Sequence, residues 1–264
     1  METGDRDGIV NMLTQVFLRA DINLEAFADL IIAQSPFGMV IGPAEDQSDE
    51  DDANVVYGLL TVVPLSNDLD NPSKLSKELL DFLEKKSQKF ALKEFRNAFD
   101  IAKTERTGLF INERMLNFPH QIVKPSFSSI RSDLAQLDKP YQKIVYVHKL
   151  RIAKQDAEVN VIKNEQTKSK KKMGKAEKKR LAISCLSNAD IVFDNVEDEV
   201  LYKTDEGEAH FYDIPVHSEV DSSSKFHILI KDGKSYMPYR RVVIMNMKRF
   251  NAFLEQVING DLQA

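Results

Sequence analysis

Residues 55–63 read Val-Val-Tyr-Gly-Leu-Leu-Thr-Val-Val, and proline follows at 64. A continuous apolar run of that length, rich in β-branched side chains and stopped by a proline, predicts a strand covered on both faces. Such a strand belongs at the centre of a sheet with helices on either side, and the flanking sequence supplies them. Upstream, Ile9, Met12, Leu13, Val16 and Phe17 recur at steps of three and four, which makes one apolar helix face. Leu24, Phe27, Leu30 and Ile31 make a second, with Asn23 placed to cap it and Ser35-Pro36 to stop it. Gly38 to Ile41 is a short strand candidate. Downstream, Pro72-Ser73 opens a helix bearing Leu75, Leu79, Phe82 and Leu83, and a further helical stretch bears Phe90, Leu92, Phe95, Ala98 and Phe99.

The same reading places strands at Gly108 to Asn112, Tyr141 to Ile152, Ala209 to Ile214, Phe226 to Ile230 and Arg240 to Met245. Asp232-Gly233 is the turn between the last two. A helix from Met247 to Ile258 is ended by Asn259-Gly260, whereas Leu181 to Val192 carries no clear period. Strands interleaved with helices predict an α/β (α+β) fold, a single mixed sheet flanked by helices, formed by one domain over residues 1–264.

Composition narrows the class of protein. With 42% hydrophobic residues in 264 the chain can bury a full core without a staple, and Cys185 as its one cysteine excludes an internal disulfide, a CxxC pair and a cysteine zinc cage. A reducing compartment is expected. The N-terminus, METGDRDG, has no apolar signal region, and no run of apolar residues is long enough to span a bilayer, so neither secretion nor a membrane partner is expected.

The net charge of −5 conceals strong segregation. An acidic loop at 43–54 contains Glu45, Asp46, Asp49, Glu50, Asp51 and Asp52, six acids in eight residues with no base. From Lys163 to Arg180 nine bases face two acids, and from Asp190 to Asp221 eleven acids face Lys203 alone. Both short runs read as solvated loops, since like charges resist burial. An acidic patch also receives basic partners, and a lysine-rich segment also serves nuclear import or nucleic-acid contact.

The usual signatures of catalysis are missing from the sequence. There is no GxGxxG, GxxxxGK[ST], GxSxG or HExxH. Cys185 lies in the apolar stretch LAISCL and reads as a small core residue. His210, His217 and His227 lack metal-ligand spacing, His148 reads as a surface or hydrogen-bonded core residue, and the run Asp49-Glu50-Asp51-Asp52 lacks the glycine and spaced ligands of a calcium loop. No catalytic residue, cofactor or metal site is expected.

Several segments, in order, resemble the BCCIP family: DGIVNMLTQVFLRADINLEAFADLII, the acidic run, VVYGLLTVVPL, GLFINERMLNFPHQIVKP, the lysine-rich segment, NADIVFDNVEDEVLYK and MPYRRVVIMNMKRFNAFLEQV. The most specific part is Gly108 to Pro125, with Asn112-Glu113-Arg114 followed by Asn117, Pro119, Gln121, Ile122 and Pro125. The resemblance implies a fold like that of the GNAT acetyltransferases without the acetyl-CoA site, and no [QR]xxGx[GA] phosphate loop is present here. It further implies a non-enzymatic nuclear chaperone or adaptor. Fungal members look like chaperones for a large-subunit ribosomal protein and assist export of a phosphatidylinositol phosphate kinase. Animal members are described as binding a recombination protein and a cyclin-kinase inhibitor.

On that reading Glu45, Asp46, Asp49, Glu50, Asp51 and Asp52, with the acid-rich stretch from Asp190 to Asp221, receive the basic client. Lys168, Lys170, Lys171, Lys172, Lys175, Lys178, Lys179 and Arg180, in the basic loop 163–180, engage a nuclear import receptor, so a nuclear location with shuttling to the cytoplasm is expected. The alternative is an RNA-binding assembly factor acting through the basic loop. Single-strand binders use aromatic stacking platforms, and this segment has none, so stable nucleic-acid binding is not expected.

Overall fold

The computed structural model describes residues 1–43, 55–66, 73–116, 118–154, 190–221, 224 and 227–261. Within them seven α-helices occur in the order α1 (Arg6–Phe17), α2 (Leu24–Ala33), α3 (Lys74–Phe90), α4 (Lys93–Thr104), α5 (Val123–Ala135), α6 (Val196–Lys203) and α7 (Met247–Asn259). The strands are β1 (Met39–Ile41), β2 (Gly58–Ser66), β3 (Thr107–Arg114), β4 (Lys143–Ala153), β5 (Ile191–Phe193), β6 (Ala209–Pro215), β7 (Leu229–Lys231) and β8 (Lys234–Asn246). They form one mixed sheet in the order β1-β2-β3-β4-β8-β6, with β5 on β4 and β7 on β8. No described helix is long and apolar enough to cross a membrane.

The chain folds into two compact units. The larger comprises Met1–Lys149, Asp194–Ile214 and Arg240–Ala264; the smaller comprises Leu150–Phe193 and Pro215–Tyr239. In the smaller, β5 pairs antiparallel with Leu150–Ile152, and β7 pairs with Lys234–Tyr236 across the expected Asp232-Gly233 turn. Both turn residues have positive φ, 51° and 74°, as the tight turn of a twisted hairpin requires.

In the larger unit the caps act as expected. Asn23 accepts a 3.0 Å hydrogen bond from the Ala26 amide, and Ser73 accepts one of 3.1 Å from Ser76. Phe17 of α1 meets Phe27 of α2 and Phe82 of α3 at ring distances of 5.8 and 5.9 Å. On the opposite side of the sheet, Leu60, Val62, Phe110, Tyr146, Val243 and Met245 pack under α5, α6 and α7. Phe110 is the centre of that layer, 4.9 Å from Tyr146 and 5.1 Å from Phe250.

β2 is buried on both faces as expected, but it is neither central nor ended by Pro64. It lies second from the edge of the sheet and runs on to Ser66, with a break in register between Pro64 and Ser66. Pro64 is tolerated because an edge-facing N–H is not needed for pairing. β1 covers only Gly58–Leu60 on that side. Beyond β1, the Gln34 side chain donates to the Val62 carbonyl at 3.3 Å and to Thr61 Oγ1 at 2.8 Å, standing in for a neighbouring strand. At the lead-in to β1, Gly38 has φ of 79° and a Cβ there would lie 2.4 Å from Thr61 Oγ1, so both conformation and space demand glycine.

Candidate interaction site

β3 and β4 are parallel neighbours, yet their register covers only Thr107–Phe110 against Lys143–Tyr146 before both strands run on. Outside the carboxyl ends of diverging parallel strands is where an α/β sheet offers a crevice. Here the segment Asn112-Glu113-Arg114 sits at that end, and alternation sends its side chains to opposite faces.

On one face α6 brings down two carboxylates. Arg114 holds Glu197 with both arms of its guanidinium, Nη2 reaching Oε2 at 2.8 Å and Nη1 reaching Oε1. Asn112 Nδ2 donates to Glu197 Oε1 at 2.9 Å and to the Tyr146 hydroxyl at 3.3 Å. Tyr146 in turn donates to Asp198 Oδ1 at 2.6 Å. The second Asp198 oxygen faces His148 Nδ1 at 3.5 Å, and His148 Nε2 bonds the Tyr202 hydroxyl at 2.6 Å. Arg241 closes the row, lying 4.9 Å from the Tyr202 ring and 4.2 Å from Phe211 while gripping Asp213 at 2.6 and 2.8 Å. On the other face Glu113 pairs with Lys149, and Arg240 donates to the carbonyls of Gln15 at 2.6 Å and Val16 at 3.2 Å, where α1 ends.

Burial sets the proton affinities in this row. It raises the Asp198 carboxyl, and the adjacent Glu197 charge adds to that, against the pull of His148. Burial likewise pushes Glu113 upward against Lys149, and it pushes the Tyr146 hydroxyl well above its ordinary value with the help of Asp198. Tyr202, His148 and Asp198 line up as hydroxyl, imidazole and carboxylate, which is the order of an activated nucleophile. A reacting atom also needs a place about 3 Å from such a group. The Tyr202 ring lies against Arg241 and Phe211, and a separate void beside Asn112, Arg114 and Ser126 measures about 10 Å³, room for one water. This network fills the strand divergence and ties α6 to the sheet.

Solvent meets the chain immediately after that buried segment. Met115 and Leu116 are 43% and 41% exposed, and half-buried Phe118 stacks on Tyr57 with ring centres 5.6 Å apart. The backbone holds this turn in place: Met115 donates to the Tyr57 carbonyl at 2.8 Å and Tyr57 donates to the Ile41 carbonyl at 2.7 Å. Nearby, His120, Gln121, Lys124 and Asp261 line an open depression of about 300 Å³.

The expected client-binding residues Glu45, Asp46, Asp49, Glu50, Asp51 and Asp52 lie outside the described residues, as do Cys185 and the expected import residues from Lys168 to Arg180. The acid-rich stretch from Asp190 to Asp221 is divided by the structure. Glu197 and Asp198 are fully buried and the Asp213 side chain is 6% exposed, so these three are not docking surface. Three carboxylates with internal cationic or hydroxyl partners can be buried where unpaired ones cannot. His148 belongs to the core with its ring nitrogens engaged. The sequence reading missed α6, and with it the carboxylate side of the network.

The BCCIP family model matches residues 1–201. The chain belongs to the BCCIP family. Similar relatives include the protein BCCIP homolog of Caenorhabditis elegans, 44% identical over 97% of this chain and 76% of that protein. The protein BCCIP homolog of Drosophila melanogaster is 27% identical over 97% of this chain and 82% of its own length. The BRCA2 and CDKN1A-interacting protein of Homo sapiens is 30% identical over 51% of this chain and 44% of that protein. Among solved structures, BCP1 from Saccharomyces cerevisiae superposes with a TM-score of 0.51 at 15% identity, covering 96% of this chain and 82% of that one, which is a likeness of fold. The segment Gly108 to Pro125, which carried the resemblance, is the one that builds both the buried network and the exposed turn. The human relative's name describes an interacting protein.

Proposed function

We propose that this chain is a non-enzymatic nuclear chaperone or adaptor whose client is a strongly basic protein, of the kind found in the large ribosomal subunit, and that it accompanies that client through subunit assembly and export. The observation that carries the reading is the run of six acids in eight residues at 45–52 in a member of a family named for protein interactions. Basic ribosomal proteins bind RNA and aggregate until delivered, and an acidic surface occupies their cationic face reversibly. Individual surface ion pairs contribute only about 0.2–1 kcal/mol. The run therefore acts on speed, raising association from about 10⁵–10⁶ toward 10⁸ M⁻¹s⁻¹ at low salt.

The basic segment 163–180 serves an import receptor, and cargo exchange then takes the chain back to the cytoplasm. A recombination protein and a cyclin-kinase inhibitor are further clients, in line with the human relative's name. The nine bases of this segment support one other reading, RNA binding during subunit assembly.

A tagged pull-down at low and raised salt, with and without RNase, separates the two. Enrichment of one basic ribosomal protein that survives RNase and weakens with salt is the expected result. Loss of every partner on RNase treatment overturns it in favour of RNA.

A further inference from the structure

The turn after β3 exposes apolar side chains on a rigid support. Met115 and Leu116 stand in solvent, and Tyr57 and Phe118 stack beside them. The backbone bonds Met115 to Tyr57 and Tyr57 to Ile41 join this turn to β1 and the lead-in to β2, and the Phe118 amide returns to the Met115 carbonyl at 3.2 Å. One residue before Met115, Arg114 is anchored on Glu197. A cluster of methionine, leucine and aromatic rings at the surface, tied to the sheet by backbone hydrogen bonds, is what an interface centre requires, because less order has to be gained on binding.

The charge around it selects the occupant. The chain leaves this support after Ile41 and returns to it at Tyr57, and the six acids lie between. Glu45 is four residues from Ile41 and Asp52 five from Tyr57, so at about 3.6 Å per residue connectivity keeps Glu45, Asp46 and Asp52 within about 18 Å of Ile41 or Tyr57, and Asp49, eight residues from both, within about 29 Å. A partner meeting Met115 and Leu116 therefore meets a surface whose adjoining chain carries six acids in eight residues.

We propose that Tyr57, Met115, Leu116 and Phe118 are the docking surface for a segment of a basic protein in which aliphatic or aromatic side chains are interleaved with lysine and arginine. The proposal rests on the reading of this chain as a binder of a basic client. It supplies what that reading lacks, a source of affinity that salt does not screen. The acids bring the segment in, and the apolar turn retains it.

The test uses the full chain and two synthetic peptides of equal lysine and arginine content, one spaced with glycine and serine, the other with leucine and phenylalanine. Binding is followed by fluorescence anisotropy at low and raised salt. The apolar-bearing peptide is expected to bind about tenfold tighter, the order that one buried anchor contributes. Met115→Ser with Leu116→Ser brings that ratio close to one and leaves the salt dependence intact. Both side chains are exposed, and an unchanged melting curve verifies the fold. Replacing the six acids by their amides flattens the salt dependence and keeps the ratio. A ratio that survives the double serine variant overturns the proposal. So does a shift from dimer to monomer in that variant during sedimentation, which assigns the turn to a second copy of the chain. If neither peptide binds at low salt, the basic-client reading itself falls.

Discussion

Arg6 and Arg114 each grip a carboxylate with two nitrogens of the guanidinium, and their surroundings could hardly differ more. Arg6 reaches Asp29 at 2.6 and 3.2 Å and Glu25 at 3.3 Å, joining α1 to α2 with side chains 36 to 71% exposed. Arg114 reaches Glu197 with side chains 11% and 0% exposed, at the end of the sheet under α6. The first pair exchanges one set of good contacts, to water, for another, and salt screens what is gained. In the second, each partner has left water because the other is present. The same bond is thus an ornament on one helix pair and a condition for seating another helix. Its contribution is set by what would replace it.

That contrast is broken most severely at Glu197. Glu197→Ala leaves the Arg114 guanidinium without its acceptor and removes the shorter of the two bonds that Asn112 donates, and a loss of about 3–5 kcal/mol is expected in urea unfolding. Replacing both members, Arg114→Met with Glu197→Leu, recovers a large part, because no buried charge is then left alone; failure to recover would mean the pair is favourable in its own right. Next comes Arg241→Lys, which keeps the charge beside Asp213 but loses the second arm and the planar contact with Tyr202 and Phe211. About 1–3 kcal/mol is expected, read by the same unfolding curve.

A pH series sharpens the comparison further. Burial raises the Glu113 carboxyl above its ordinary value of 4.5, against the opposing pull of Lys149. The folded chain then holds this proton where the unfolded chain has released it, so this group's contribution to stability falls as pH rises from about 4.5 through the folded value. Glu113→Gln cannot follow that decline. The stability of the natural chain relative to this variant should therefore drop across the window, and a flat difference would contradict the raised affinity. The smallest effect belongs to Arg6→Ala, whose shift in urea midpoint should approach the scatter of the measurement and vanish in raised salt.

Much of the scaffold could be read in advance because its signals are local. Asn23 and Ser73 cap the helices they precede, Asp232-Gly233 turns the hairpin, and the apolar stripes of α1, α3 and α7 face inward. β2 was misplaced because a buried strand looks the same whether strands or helices and a Gln34 side chain cover it. α6 was invisible for a different reason. Its inward face carries Glu197, Asp198 and Leu201, so hydrophobic periodicity has little to find there. The partners that make those acids acceptable are remote, Asn112 being 85 residues away and Tyr146 52. The exposed turn had a faint signal of its own, since Met115, Leu116 and Phe118 crowd a stretch just past a strand end, where polar residues are usual.

The position of β8 has a consequence for synthesis. This strand is made after β4 and β6, yet it lies between them in the sheet, and its Arg240 closes the end of α1 across 224 residues of sequence. A nascent chain emerging from the ribosome can form its early helices and the β2–β3 ladder, but the layer of Val243, Met245, Phe250 and Phe253 arrives only after the strands it packs against have been made. Folding of the larger unit should accordingly be slow and should wait for β8, as expected of long-range strand insertion. A chain released early would present an open sheet and a bare aromatic core to quality control.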